Sequence, residues 1–329
     1  MSGKKKAKIV GTGSAVPDRI LTNQDLEQMV ETSDEWIVSR SGIRERRITD
    51  DQTATSDLAA LAAQRALKEA KISSEELDLI IVATATPDMI FPSTSCLVQD
   101  LIGAKNAAPM DIGAACSGFI YALSVANAFI SSGQYHTILV IGAETLTKFT
   151  DYQDRKTCVL FGDAAGAVVL RPTEKDQGVL ETYLGGNGRL WHLLHMPAGG
   201  TRMPASHETV DKRLHFLKMA GNEVFKAAVR SMGDAALKIL HQTGLTGKDV
   251  SLMIPHQANI RIIKATAKRV KLPMDKVYVN IDRFGNTSAA TIPLALDEAR
   301  RKGQLKPGDI LLLVAFGGGF TWGSVVIRW

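Results

Sequence analysis

The chain has 329 residues, 45% of them hydrophobic, a formal net charge of +5 and a mean hydropathy near zero. That length carries one large domain or two similar halves with a substantial core, and no apolar run reaches membrane-spanning length. Three cysteines (Cys96, Cys116 and Cys158) are odd in number and lack metal-ligand spacing, which argues against a disulfide framework or a metal site and for a reducing, cytoplasmic compartment.

The basic start at residues 1–8 reads as a solvated end leading into a strand at 9–13, and its apolar stretch is too short for a signal-peptide core. Residues 23–39 read as an amphipathic helix, 55–70 as an alanine-rich helix and 78–83 as a short buried strand. The segment 109–119 then places Cys116 at a turn between an apolar strand and a helix, among Gly113, Ala114, Ala115, Ser117 and Gly118. A helix over 119–130 stops at Gly133, a C-cap residue. A thiol at a helix N-terminus faces free N–H groups and the positive end of the dipole, an arrangement that favours thiolate and can hold an oxyanion. Apolar strands at 138–141 and 166–170 follow.

The second part repeats this order at a shift of about 171 residues: 9–13 falls near 180–185, 66–68 on 236–238, 78–83 on 249–254, 138–141 near 310–314 and 166–170 on 323–327. Two halves, 1–172 and 173–329, each of pattern βαβαβαββ, make an α/β protein of mixed sheets covered by helices. Sites are then expected where the halves meet, at loops following strands. The shift sets Asn286 opposite Cys116, and His256 follows the strand at 249–254. Each is unremarkable alone; together they suggest convergent polar groups. Gly11-Thr-Gly13 lacks the third glycine of a dinucleotide fingerprint, and Gly185-Gly-Asn-Gly188 lacks the Lys-Ser/Thr of a phosphate loop. The basic residues are not interleaved with aromatics, so nothing points to nucleic acid.

Ser33-Asp-Glu-Trp-Ile37, Gly42-Ile-Arg-Glu-Arg46, Ala115-Cys-Ser-Gly118, Phe161-Gly-Asp163, His256-Gln-Ala-Asn259, Gly285-Asn-Thr-Ser288 and the glycines from Gly317 to Gly323 together resemble the β-ketoacyl-acyl-carrier-protein synthase III family of the thiolase superfamily, over essentially the whole chain. The resemblance implies a thiolase-like, five-layer α-β-α-β-α sandwich and a cytoplasmic homodimer. It implies an acyltransferase that condenses a short acyl-CoA primer, acetyl-CoA for preference, with malonyl-acyl-carrier protein in the first step of fatty-acid synthesis. It assigns catalysis to Cys116, His256 and Asn286, with Cys116 and Gly318 as the oxyanion hole and no metal or redox cofactor. Trp36, Arg40, Arg155 and Asn259 match CoA-binding positions, and Phe91 matches one that closes the partner's acyl pocket. Arg261, Lys264, Lys268 and Arg269, spaced along one helix, are expected with Lys226 to dock the acidic carrier protein. A secondary-metabolite ketosynthase, a cysteine hydrolase of thioesters and an inactive scaffold are the competing readings.

Overall fold

A computed structural model describes residues 5–329, so Met1 to Lys4 of the basic start lie outside the described residues. The first half runs β1 (Lys6–Ala15), α1 (Asp34–Ser41), α2 (Thr55–Ala70), β2 (Leu79–Ala83), α3 (Thr94–Leu101), β3 (Ala108–Ile112), α4 (Gly118–Ser132), β4 (Ile138–Thr145) and β5 (Asp163–Thr173). The second runs β6 (Gly178–Gly186), α5 (Gly221–Gln242), β7 (Leu252–Pro255), α6 (Ile260–Arg269), α7 (Thr291–Arg301), β8 (Ile310–Gly317) and β9 (Thr321–Arg328).

The first sheet has the order β1-β5-β4-β2-β3, with β2 parallel to β3 and β4 and the other pairs antiparallel. The second, β6-β9-β8-β7, repeats it less one strand. The counterpart of β3 shrinks to one parallel bridge between Met253 and Val277, so the second half falls short of the expected βαβαβαββ. Pro273 precedes a 3-10 turn at Met274–Lys276, which uses up the residues a longer strand would need.

Strand alternation sorts the apolar side chains into layers. Ile80 and Val82 face α2 and α3, while Leu79, Ile81 and Ala83 face a central core that contains Phe119 and Leu123 of α4 and Ile292 and Leu296 of α7. Leu311, Leu313 and Ala315 of β8 close that core from the other side, and Leu312 and Val314 face α5 and α6. The result is the five-layer order that the resemblance implies. Ala115–Ser132 is in fact long and apolar enough to cross a membrane, but α4 is the central core helix, packed between the two sheets.

Gly11 and Gly13 serve packing: a Cβ on either would strike the α2 backbone, at the carbonyl oxygens of Ala66 and Ala62 respectively. Residues 23–39 do not form the expected single helix. A short helix, Asn23–Glu27, ends before α1 begins. Ser33 caps α1 through the Trp36 N–H, and Glu27 accepts from the Asp34 N–H at 2.6 Å, so local side chains take the amides that a continuous helix would use.

Candidate active site

β3 delivers the chain into a 3-10 turn, Ala115–Ser117, and α4 begins at Gly118. Ala115 is left-handed at φ 45°, a strained setting for a residue with a Cβ. The turn is held by the Ser117 hydroxyl, bonded to the Ala114 carbonyl at 2.8 Å, and by Thr321, which donates to the same oxygen at 3.0 Å. The end of β8 lies directly on it. A Cβ on Gly317 would sit 2.7 Å from the Cys116 nitrogen, so only glycine permits the contact. Cys116 reaches a cavity of about 350 Å³ that His256, Asn286 and Gly317 also line.

Burial works against the dipole at this thiol. Burial pushes Cys116 up to about 12, the Glu144 charge adds to this, and a hydrogen bond from Ser288 only partly opposes it. Cys116 lies in the 3-10 turn that runs directly into α4, so dipole and desolvation act on it in opposite directions.

His256 follows β7 and is 2% exposed. Its backbone N–H donates to the Val314 carbonyl at 2.8 Å, and its Nδ1 lies 2.8 Å from the Thr291 hydroxyl. Burial lowers its pKa to about 3, so the ring is neutral. The Thr291 hydroxyl is also 2.9 Å from the Ser288 carbonyl. It has one proton: donated to Ser288, it leaves the His256 proton on Nδ1; donated to Nδ1, it places that proton on Nε2. Asn286 is anchored on both backbone sides, to Leu160 and Gly162. Its Oδ1 accepts the Ser288 N–H at 2.9 Å, which leaves the Nδ2 donors to turn elsewhere.

The internal repeat is real, but its register at the site differs from the sequence alignment. Ser288 has φ 48° and opens a 3-10 turn, Ser288–Ala290, that runs into α7, as Ala115 does before α4. By this geometry Ala289, not Asn286, is the counterpart of Cys116. Asn286 sits just before the second elbow.

At the mouth, Trp36, Arg40, Asn259 and Arg261 line the same cavity. The Arg155 guanidinium stacks on the Trp36 ring, 4.8 Å from its centroid. A planar ring inserted between them needs about 7–8 Å, two contact distances, so Arg155 must swing out to admit one. Asn259 caps α6 through the Arg261 N–H and donates to the Arg40 carbonyl at 2.8 Å, tying two mouth elements together. Gly318 follows Gly317 and packs on Leu194. Lys226, Arg261, Lys264, Lys268 and Arg269 are exposed, and Arg261 lies over the Phe225 ring. Arg269 departs from the centre of the stripe. At a step of about 100° per residue it falls to the α5-facing edge of the stripe, where it pairs with Asp234 at 2.9 Å, both side chains exposed. Phe91 is 83% exposed and stands apart from this cavity.

Glu144, Ser288 and Thr291 escaped the sequence reading, although a glutamate inside an otherwise apolar strand was an available signal.

Family models described as "3-Oxoacyl-[acyl-carrier-protein (ACP)] synthase III" and its C-terminal part match residues 110–188 and 240–329. A β-ketoacyl-[acyl-carrier-protein] synthase III of Caldanaerobacter subterraneus subsp. tengcongensis is 58% identical, covering 100% of this chain and 99% of that protein. The crystal structure of 3-oxoacyl-[acyl-carrier-protein] synthase III from Aquifex aeolicus VF5 is 50% identical, with TM-score 0.91 over 98% of this chain and 100% of that one. The priming β-ketosynthase of the R1128 polyketide biosynthetic pathway is 33% identical, with TM-score 0.90 over 99% and 97%.

Proposed function

The chain belongs to the β-ketoacyl-acyl-carrier-protein synthase III family, acyltransferases that carry out the initiating condensation of fatty-acid synthesis, and on that premise we propose how its cavity performs the reaction. Cys116 attacks the thioester of an acyl-CoA primer and becomes acylated. The N–H groups of Cys116 and Gly318 hold the oxyanion while CoA leaves. Malonyl-acyl-carrier protein then enters, and loss of carbon dioxide leaves an enolate. Asn286 Nδ2 and His256 Nε2 donate to its oxygen, with the Thr291 hydroxyl turned toward Nδ1. The carbanion attacks the acyl-Cys116 and releases 3-oxoacyl-carrier protein. Trp36, Arg40, Arg155 and Asn259 hold CoA, and Lys226, Arg261, Lys264 and Lys268 dock the carrier protein. Arg269, engaged by Asp234, contributes less.

The observation that carries this reading is the tie between Asn286 Oδ1 and the Ser288 N–H, which turns an amide donor toward the cavity shared with Cys116 and a neutral His256. A hydrolase would need His256 as a base for water, and a ring with a pKa near 3 is a poor one. Labelled acetyl-CoA with malonyl-carrier protein separates the two: a synthase forms acetoacetyl-carrier protein, a hydrolase free acetate. Likeness to the R1128 priming enzyme supports a second reading, priming of polyketide synthesis, which a panel of acetyl-, isobutyryl-, hexanoyl- and octanoyl-CoA primers tests.

The protein acts as a cytoplasmic homodimer of two-half subunits that divide at residues 172 and 173. Its exposed Ile90 and Phe91, and the half-exposed edge strand β3, support the dimer. Phe91 then closes the partner's acyl pocket and favours a short primer.

A further inference from the structure

The steps above leave a fully buried cation unused. Arg46 sits in a short strand, Glu45–Arg47, that pairs antiparallel with Ile20–Thr22. Its Nη1 donates to the Leu21 carbonyl at 3.1 Å and to Asn23 Oδ1 at 2.9 Å, and its Nη2 donates to the Val159 carbonyl at 2.8 Å. All three acceptors are neutral. Burial draws its pKa down only to about 10, so the guanidinium stays charged at neutral pH. A buried charge hydrogen-bonded to no carboxylate is costly, and filling space alone would be served as well by an apolar side chain. What the fork holds is the back of the cavity. Val159, Leu160 and Phe161 line it. The Asn286 N–H donates to the Leu160 carbonyl at 2.8 Å, and the Asn286 carbonyl accepts the Gly162 N–H at 3.1 Å, so this segment is the seat of Asn286. A Cβ on Gly162 would lie 3.1 Å from the Arg46 Cβ, and one on Gly285 would lie 3.3 Å from it. The arginine stem thus backs both sides of the seat, and its head group grips the segment one residue before it.

We propose that Arg46 is a positioning residue for Asn286: its guanidinium fixes the segment 159–162 on which the Asn286 backbone is seated, and so fixes where the Nδ2 donors meet the malonyl enolate. The inference rests on Asn286 being an enolate donor. Such a donor must be held within about 0.5 Å of its productive place, and its own tie to the Ser288 N–H orients the amide without anchoring the backbone that carries it. The Cys116 elbow has other supports, the Ser117 hydroxyl, Thr321 and Gly317, and none of them touches Arg46. The mouth is also held without it: Asn23 Nδ2 donates to Asp34 and to the Ile43 carbonyl, both at 2.8 Å, so α1 keeps its own anchor. Loss of the guanidinium therefore falls on the half-reaction that uses Asn286 and spares acylation of Cys116.

Arg46→Met tests this, because it keeps an unbranched stem against the two glycines and removes all three hydrogen bonds. Carbon dioxide release from malonyl-carrier protein and single-turnover acetylation of Cys116 by acetyl-CoA are measured in wild type, Arg46→Met, Asn286→Ala and the double variant. Arg46→Met should slow decarboxylation about 10- to 100-fold and leave acetylation within about threefold of wild type. Added to Asn286→Ala, it should slow decarboxylation no further, since the group it positions is already gone. An arginine that only stabilises the fold lowers both half-reactions in step, and its loss multiplies that of Asn286→Ala. Either result, or decarboxylation unchanged in Arg46→Met, overturns the inference. Decarboxylation untouched by Asn286→Ala alone would overturn the enolate-donor reading and the inference with it. Should Arg46→Met fail to fold, Arg46→Lys decides: it keeps the charge, but one ammonium cannot span both sides of the fork, so decarboxylation should fall at least about threefold while acetylation holds. Equal effects on the two half-reactions, or none, in that variant overturn the inference.

Discussion

Replacing Thr291 with valine removes the hydroxyl that reaches both His256 Nδ1 and the Ser288 carbonyl, at 2.8 and 2.9 Å, in a region closed to water. With Thr291 donating to Nδ1, His256 carries its proton on Nε2 and can hydrogen-bond the developing enolate. Valine leaves Nδ1 without that partner and the tautomer unfixed. A net buried hydrogen bond is worth about 1–2 kcal/mol, and at about 1.4 kcal/mol per tenfold this slows malonyl decarboxylation roughly 5- to 30-fold. That is less than the 10²–10³-fold expected when an oxyanion donor is deleted outright, because a fraction of His256 still holds the productive tautomer. Thr291→Ser keeps the hydroxyl and is expected to remain within about threefold of wild type, a few tenths of a kcal/mol. The assay is carbon dioxide release from malonyl-carrier protein, alongside single-turnover acetylation of Cys116, which should change little. Decarboxylation unaffected by Thr291→Val in a folded protein, or equal losses in the valine and serine variants, would refute the reasoning.

Stability should fall in acid through His256. Its folded pKa of about 3 lies below the ordinary value of 6.5, so the unfolded chain binds the extra proton between these values. The contribution is complete above about pH 6.5 and is lost as pH falls toward 3, on the order of 4–5 kcal/mol in all. Urea unfolding of wild type and His256→Gln across that range should show a shallower acid slope in the variant, and parallel slopes would contradict the burial argument. Charge reversal of Arg261 and Lys268 should raise KM for malonyl-carrier protein and spare KM for acyl-CoA; equal rises for both substrates would remove the docking role. Alanine at Gly317 places a Cβ 2.7 Å from the Cys116 nitrogen, so acylation should drop at least about tenfold with loss of the elbow geometry. An unchanged acylation rate would show that the contact is soft.

Much of the fold was legible because strand alternation and the internal repeat leave strong marks. The apolar runs at β2, β4 and β8 are unambiguous, and the small residues around Cys116 exist because β8 and the second elbow press on that turn. The break between residues 27 and 34 was hidden, since no glycine or proline marks it and the work is done by Ser33 and Glu27 side chains. The register of the repeat at the site was hidden too. Sequence matching set Asn286 on Cys116, whereas the shared left-handed residues, Ala115 and Ser288, carry no compositional signature. Glu144 went unread because a carboxylate is ordinarily exposed. Only the fold shows that Thr84, Thr86 and two backbone amides make its burial tolerable. The electrostatics of the thiol were half legible for a similar reason, as a dipole can be inferred from sequence and desolvation cannot.

The central claim divides the labour of the cavity between Cys116, which carries the acyl group, and His256 with Asn286, which stabilise the enolate. Measuring the two half-reactions separately in His256→Ala and Asn286→Ala tests it most directly. Each variant should still acquire an acetyl group on Cys116, seen by mass spectrometry, while malonyl decarboxylation and condensation fall by about 10²–10³-fold or more. Near-normal decarboxylation in both variants, or acetylation lost in step with it, would contradict the account.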